Sequence, residues 1–330
     1  MNAIRLYGHG GPEVLTYERA PRPVPQANEV LLETLATGVN FADVMRRKGG
    51  AYAVPTPMPY FLGGEVVGIV TQVGPGMDDG LIGKRVLGFP GQGSYADYVV
   101  VPASRVYPLP DALPDWAALA LFVQGLTASL ILKRHSRLAP GETVLVQAAA
   151  GGVGSIAVQL ARLYGAGQVI GCVSTPEKAA LVRSLGADAT VNYAQPGWND
   201  TVRQLTGGRG VDVVMEVTGG AVADASYELL APFGRVVVFG LTGDERWHID
   251  TQRLCGRNAT ISGFWLRPHL DDQAEITREF LALADLFIGG GLSLTLGGRF
   301  ALSDAAAAHT ALEERATSGK LVLIPDSRFR

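Results

Sequence analysis

The sequence predicts an α/β fold, a doubly wound parallel sheet inserted in a β-rich unit. Three observations predict it. Short β-branched runs broken by Gly and Pro fill roughly the first 110 residues. From Thr143 onward, short apolar strands alternate with helical segments. The chain then closes with one helix, AEITREFLALADLFIGG, and a strand, KLVLIP, that reads as returning to the first unit.

Taken in order, EVLLETLATGVN, EVVGIVTQVG, KRVLGF and SYADYVVVP are strands bounded by turn residues, a barrel-like pattern. DWAALALFVQGLTASLILKR has apolar residues at helical spacing, with Asp111 or Asp115 placed to cap it. VLVQA, QVIGCV, VDVVMEV and RVVVFG are buried strands, and SIAVQLARLYG is a helix between the first two. PEKAALVRSLG starts with Thr175 as cap and Pro176 in the first turn, where a missing N–H costs nothing. Strands separated by helices imply parallel βαβ units with right-handed crossovers, and the series ends near ATISGFWL.

At 330 residues the chain is long for one core, so two domains are expected. Hydrophobic content of 47% with 18% charge describes a compact soluble protein. A net charge of −3 supplies no bulk attraction to nucleic acid or anionic membrane. MNAIRLYGHGGPEVL lacks the regions of a secretory signal, and no apolar run approaches the roughly 18 residues of a bilayer span. Cys172 and Cys255 are too few for a disulfide scaffold or a four-thiolate zinc site, so a reduced, cytoplasmic setting is the default.

The stretch AAGGVG follows a predicted strand and opens a predicted helix, the context a dinucleotide turn requires. Aligned to GxGxxG, its positions are Ala149, Gly151 and Gly154, with alanine replacing the first glycine. The turn, Ala150, Gly151, Gly152, Val153 and Gly154, is the candidate cofactor cradle. Gly151 lets backbone approach a pyrophosphate, Gly154 permits close helix–strand packing, and the helix start favours an anion. The second strand, VIGCVSTPEK, carries no acid between Ile170 and Pro176 to accept from a ribose 2′-hydroxyl. Ser174 and Thr175 offer hydroxyls, and Lys178 follows one turn later. An absent carboxylate with a nearby cation suits a 2′-phosphate, so NADPH is the expected cofactor. Glu177 is the one contrary charge and can face solvent.

GVNFADVMRRKG, GGEVVGIVTQVGPGM, GSYADYV, VQGLTA, VQAAAGGVG, RVVVFG and EERATSGKLVLIP together resemble the medium-chain dehydrogenase/reductase superfamily, in its zinc-free NADPH:quinone oxidoreductase (zeta-crystallin) branch. The resemblance implies a GroES-like catalytic domain from residues 1–122 and 266–330 around a Rossmann domain at 123–265. It places Asn40 and Thr127 at the nicotinamide end, and Tyr52 at the mouth of the active site. Ser174, Lys178 and Tyr193 correspond to adenosine-phosphate contacts, and Arg315 adds a charge from the other domain. Phe239, Gly240 and Leu241 meet the nicotinamide ribose, and Phe264 and Trp265 touch the nicotinamide. Tyr60 is a further candidate pocket wall, and Lys320 is either a contact or a surface lysine.

Zinc enzymes of the superfamily carry Cys where this chain has Asn40 and His where it has Gly64, so no metal is expected; of the residues that surround those ligands only Glu65 remains. His9, His135, His248, His269 and His309 are scattered, without ligand spacing. Without a Lewis acid for an alkoxide, the expected reaction is hydride delivery to a quinone or related α,β-unsaturated carbonyl. The alternatives are a 2-alkenal or enoyl-thioester reductase on the same scaffold and a catalytically silent NADPH- or RNA-binding relative. A homodimer is implied, through edge strands around RVVVFG and ATISGF.

Overall fold

The β-branched runs of the N-terminal part pair with one another and with the C-terminal strand. The computed structural model describes residues 1–49, 54–243 and 245–329. In it the chain divides into two units: Met1–Val123 with Asp272–Gly289 and Thr295–Arg330, and Gln124–Asp271 with Gly290–Leu294. Tyr52 lies outside the described residues.

The first unit contains β1 (Asn2–Leu6), β2 (Thr16–Arg19), β3 (Glu29–Val39), β4 (Tyr60–Phe61), β5 (Val66–Val73), β6 (Arg85–Gly88), β7 (Tyr98–Pro102) and β8 (Val106–Pro108). Strand β3 is the hub, pairing antiparallel with β5 and with β7. Alternate residues face one core, where Val30, Leu32, Val66, Val70, Val99 and Val101 pack together. The helix Phe41–Lys48 follows β3 directly and ends at Gly49, whose φ of 73° is the left-handed value that glycine adopts without strain.

The second unit contains β9 (Thr143–Val146), β10 (Gln168–Val173), β11 (Ala189–Asn192), β12 (Val211–Glu216), β13 (Leu230–Val238) and β14 (Thr260–Gly263). They form one sheet in the order β11-β10-β9-β12-β13-β14, every pair parallel. The near-continuous burial of β9, β10 and β12 is the signature of strands covered on both faces. Parallel pairing sets all six C-terminal ends on one edge of the sheet. The order reverses between β10 and β12 around β9, the switch point where such sheets open a crevice. Strand β13, expected at an edge, is flanked on both sides; β14 is the edge strand.

The remaining strands, β15 (Leu296–Ala301) and β16 (Lys320–Ile324), belong to the first unit. Strand β16 lies antiparallel to β3, Leu321 opposite Val39, and parallel to β15. KLVLIP therefore returns as its pattern indicated.

Two expectations about the helix after Pro114 need correction. Its cap is Pro114, not Asp111 or Asp115, and Asp115 instead pairs with Arg85 at 2.7 Å. The helix runs Asp115–His135 for 21 residues, long and apolar enough by length and composition to cross a bilayer. The expectation that no apolar run approaches that length fails at this helix, whose apolar residues are interrupted only by Gln124, Gly125, Thr127 and Ser129. Of its most apolar window 78% is buried inside the protein, as in a core helix. Two π-helical turns, Ala120–Gly125 and Ile131–His135, interrupt it, and such turns recur at functional sites.

Candidate active site

The glycine turn follows β9 on the C-terminal edge of the parallel sheet. The left-handed residue of this turn is Ala148, with φ of 48°. Ala149 therefore needs no glycine-like conformation, which is why alanine is accepted at the first motif position. Its N–H donates to the Cys172 carbonyl at 2.9 Å, tying the turn to β10. Gly151 caps the helix Gly152–Leu163 in extended conformation. A Cβ on Gly154 would overlap the Ala148 carbonyl and sit 2.7 Å from the Ala149 Cα, so glycine there lets helix and strand meet. A Cβ on Gly151 would meet only the Ala148 oxygen, at 3.1 Å. The protein itself thus leaves room at Gly151, as a cradle for a pyrophosphate requires.

Gln124 faces the same turn. It is buried, and any side chain at Gly152 would collide with its carboxamide. Its Oε1 has no hydrogen-bond partner among the described residues. Nothing in VQGLTA by itself singles out its glutamine. Thr127, one turn later on the same helix, is also buried.

At the end of β10, Thr175 Oγ1 accepts from the Lys178 N–H at 3.3 Å and caps the helix Pro176–Ser184 as expected. The Asn192 side-chain amide donates to the Ser174 carbonyl at 3.2 Å, and the Tyr193 N–H to the Val173 carbonyl at 3.2 Å. These bonds bring Ser174, Lys178 and Tyr193 to the adjacent ends of β10 and β11. Glu177 is exposed; hydrogen bonds from its own amide and from Thr175 hold its carboxyl below the usual range.

Beyond the switch point, the Phe239 N–H donates to the Glu216 carbonyl at 3.0 Å and the Phe264 N–H to the Val238 carbonyl at 2.8 Å. Phe239, Gly240 and Leu241 thus follow the end of β13 beside the end of β12, and Phe264 begins the segment after β14. Phe264 is buried and stacks on His269, while Trp265 is exposed. His135 and His269, scattered in sequence, touch through their Nε2 atoms at 3.2 Å, and burial holds both below the ordinary imidazole value. Glu216, which no sequence motif marks, ends β12. Its Oε1 accepts from the Thr218 N–H, the Thr218 hydroxyl and the Gly219 N–H at 2.5–2.9 Å, and burial raises its pKa. The only signal for it was an acid closing the apolar run VDVVMEV.

Asn40 belongs to the first unit, at the junction of β3 and the helix Phe41–Lys48. Its Nδ2 donates to Glu65 Oε1 at 2.8 Å, and its Oδ1 accepts from Lys320 Nζ at 2.9 Å. Lys320 Nζ also donates to Glu65 Oε1 at 2.5 Å, and both charged side chains are fully buried. Lys320 is therefore no surface lysine. Asp43 Oδ2 accepts from the Asn40 N–H at 2.9 Å. Tyr95 Oη donates to that carboxyl at 3.3 Å and lies 3.3 Å from His309 Nε2. Burial pushes Asp43 up to about 6 and His309 down to about 3. Arg47, fully buried, pairs with Glu313, and the charges of both act on His309. Tyr60 is core, its hydroxyl accepting from Arg46 at 2.6 Å. Arg315, exposed, follows the helix Ala305–Glu313 in the same unit.

The donors around Asn40 do not fit zinc. Its carboxamide is engaged on both sides, Gly64 supplies no side chain, and the Lys320 ammonium already neutralises Glu65. A divalent ion beside that ammonium would be repelled. Among the described residues no cluster of three or more His, Cys, Asp or Glu could hold a metal.

Comparisons with known proteins agree with this architecture. Residues 26–111 match the alcohol dehydrogenase GroES-like domain family, and residues 152–284 the zinc-binding dehydrogenase family. A Pseudomonas aeruginosa quinone oxidoreductase is 35% identical, the alignment covering 98% of this chain and 99% of that protein. A Burkholderia 2-haloacrylate reductase is 34% identical with the same coverage. The Escherichia coli quinone oxidoreductase solved with NADPH superimposes with a TM-score of 0.93 at 32% identity, covering 98% of this chain and 100% of that one.

Proposed function

The chain belongs to the medium-chain dehydrogenase/reductase superfamily, in its zinc-free quinone oxidoreductase branch, and from that premise we propose that it reduces a quinone or another acceptor with a C=C bond conjugated to a carbonyl. The protein is an NADPH-dependent oxidoreductase. The observation that carries the reading is the glycine turn at the switch point, with an acid-free, lysine-bearing end on the next strand.

NADPH, when bound, supplies the hydride. The chain's own residues bind and orient. Amides of Ala150, Gly151, Gly152, Val153 and Gly154 would hold the pyrophosphate, and Ser174, Lys178, Tyr193 and Arg315 are the residues that would serve the 2′-phosphate. Phe239, Gly240 and Leu241 would support the nicotinamide ribose, and Phe264 and Trp265 would serve the nicotinamide. Asn40 would offer an amide and Thr127 a hydroxyl to the reaction, and Tyr52 a phenol. A quinone and a 2-haloacrylate share an electron-poor conjugated C=C, so one site geometry serves both; the Burkholderia relative, a 2-haloacrylate reductase, supports keeping enals and acrylates beside quinones. A homodimer built through the open edge of β14 and a cytoplasmic setting complete the reading.

Fluorescence titration should give NADPH a clear preference over NADH. Lys178→Ala should weaken NADPH by roughly 10- to 100-fold, the loss of one charge-assisted hydrogen bond, with NADH unchanged. Equal weakening of both coenzymes would remove the phosphate role. Turnover with 1,4-benzoquinone and with a small enal then separates the acceptors, and NADPH binding without either turnover would refute the reductase reading. Light scattering at two dimer-range concentrations tests the assembly.

A further inference from the structure

We propose that Lys320 and Glu65 are positioning residues, a buried ion pair that holds the Asn40 carboxamide in one orientation for the reaction. The inference deepens the functional reading, because it rests on Asn40 acting at the nicotinamide end.

Three features of the fold converge on this pair. Lys320 opens β16, Glu65 immediately precedes β5, and both strands flank β3, which ends one residue before Asn40. Lys320 Nζ donates to the amide oxygen at 2.9 Å and the amide nitrogen donates to Glu65 at 2.8 Å. A carboxamide has one acceptor and one donor end; an ammonium can only donate and a carboxylate only accept. Flipping the amide would set N–H against ammonium and C=O against carboxylate, so a single orientation survives. Gly38 completes the arrangement: a Cβ there would overlap Glu65 and lie 2.7 Å from Lys320 Nζ. The bare position in TGVN is thus the space the ion pair fills.

Stability alone is a poor explanation for the pair. A buried ion pair is often no better than apolar residues of the same volume, because both ions lose their hydration. Here Glu65 Oε2 also has no hydrogen-bond partner among the described residues, an unmet acceptor inside the protein. Such a cluster stabilises the fold little and fixes one side chain firmly, which is what a positioning device requires.

The test compares Lys320→Met, the double variant Lys320→Met with Glu65→Leu, and Asn40→Ala, each assayed for thermal unfolding, NADPH affinity by fluorescence, and kcat and KM with 1,4-benzoquinone. Lys320→Met strands a buried carboxylate and should lose both unfolding temperature and turnover. The double variant removes both charges and should recover the unfolding temperature while kcat stays roughly 10- to 100-fold low, as expected for a misaligned group. Its NADPH affinity should remain within about threefold, since charges at the adenosine end are untouched. Recovery of kcat together with stability would overturn the proposal. If Asn40→Ala itself leaves kcat unchanged, the functional reading of Asn40 fails instead. Wild-type protein labelled with ¹⁵N-asparagine gives an arm independent of variant folding. The Asn40 side-chain amide protons, assigned by their loss in Asn40→Ser, should exchange slowly with solvent; fast exchange would likewise overturn the proposal.

Discussion

Alanine at Gly151 is expected to weaken NADPH by roughly 10- to 100-fold while barely moving the unfolding temperature, and alanine at Gly154 to do the reverse in emphasis. The two glycines stand three residues apart in one motif, yet the space around them differs. At Gly154 a methyl group would overlap the Ala148 carbonyl and press on the Ala149 Cα, all backbone, so the helix must move off the strand. Overpacking of that kind costs about 1–3 kcal/mol, or roughly 1.5–4.5 °C in a protein of this size. At Gly151 the added methyl meets one oxygen at 3.1 Å, which a shift of a few tenths of an ångström relieves. Its backbone, φ −73° and ψ 177°, suits any residue. Any requirement for glycine there would have to come from outside the protein itself, as a bound pyrophosphate would supply. Calorimetry of the unliganded variants beside NADPH titration checks both halves. Equal destabilisation with unchanged affinity would remove Gly151 from the cradle.

That contrast also marks what could be read from the chain. AAGGVG was legible because its context is local: a buried apolar strand before it and an amphipathic helix after it. Thr175 and Pro176 were legible for the same reason, a cap and a first-turn proline being adjacent in sequence. KLVLIP could be placed beside the first unit because a strand buried on both faces reads as an unbroken apolar run. Lys320 could not be placed, since what makes it a buried ion is Glu65, 255 positions away. His135 and His269, 134 positions apart, meet only once the sheet brings two helix ends together. The π turns in Asp115–His135 left no trace in composition, because they change the hydrogen-bond step and not the residue types. Asp115 shows how a local rule fails: an acid one position past the true cap is taken by Arg85, a partner no spacing announces.

Replacing His309 with glutamine is expected to cost about 2 kcal/mol less stability at pH 4 than at pH 6, and Asp43→Asn about 2 kcal/mol more. The two groups lie at opposite ends of the chain through Tyr95, among Arg47 and Glu313 on one side and Arg46, Glu65 and Lys320 on the other. His309 is held down to about 3 by burial and then by Arg47. Its folded form therefore refuses a proton that the unfolded chain accepts below the ordinary value of 6.5, and its stabilising contribution, complete above that value, is lost as pH falls toward 3. Asp43 is held up to about 6 by burial, so the folded form takes its proton first. Its contribution is complete below the unfolded value of 3.8 and is lost as pH rises through 6. Between pH 4 and 6 the two slopes oppose each other, and their sum in the wild type is nearly flat. Removing one partner exposes the slope of the other, so the two variants must diverge from the wild type in opposite directions. Urea unfolding of all three proteins at pH 4 and pH 6 measures the divergence. Parallel shifts in both variants would mean that neither group is desolvated in the folded protein, and that the buried Asp43–Tyr95–His309 chain beside Asn40 does not hold in solution.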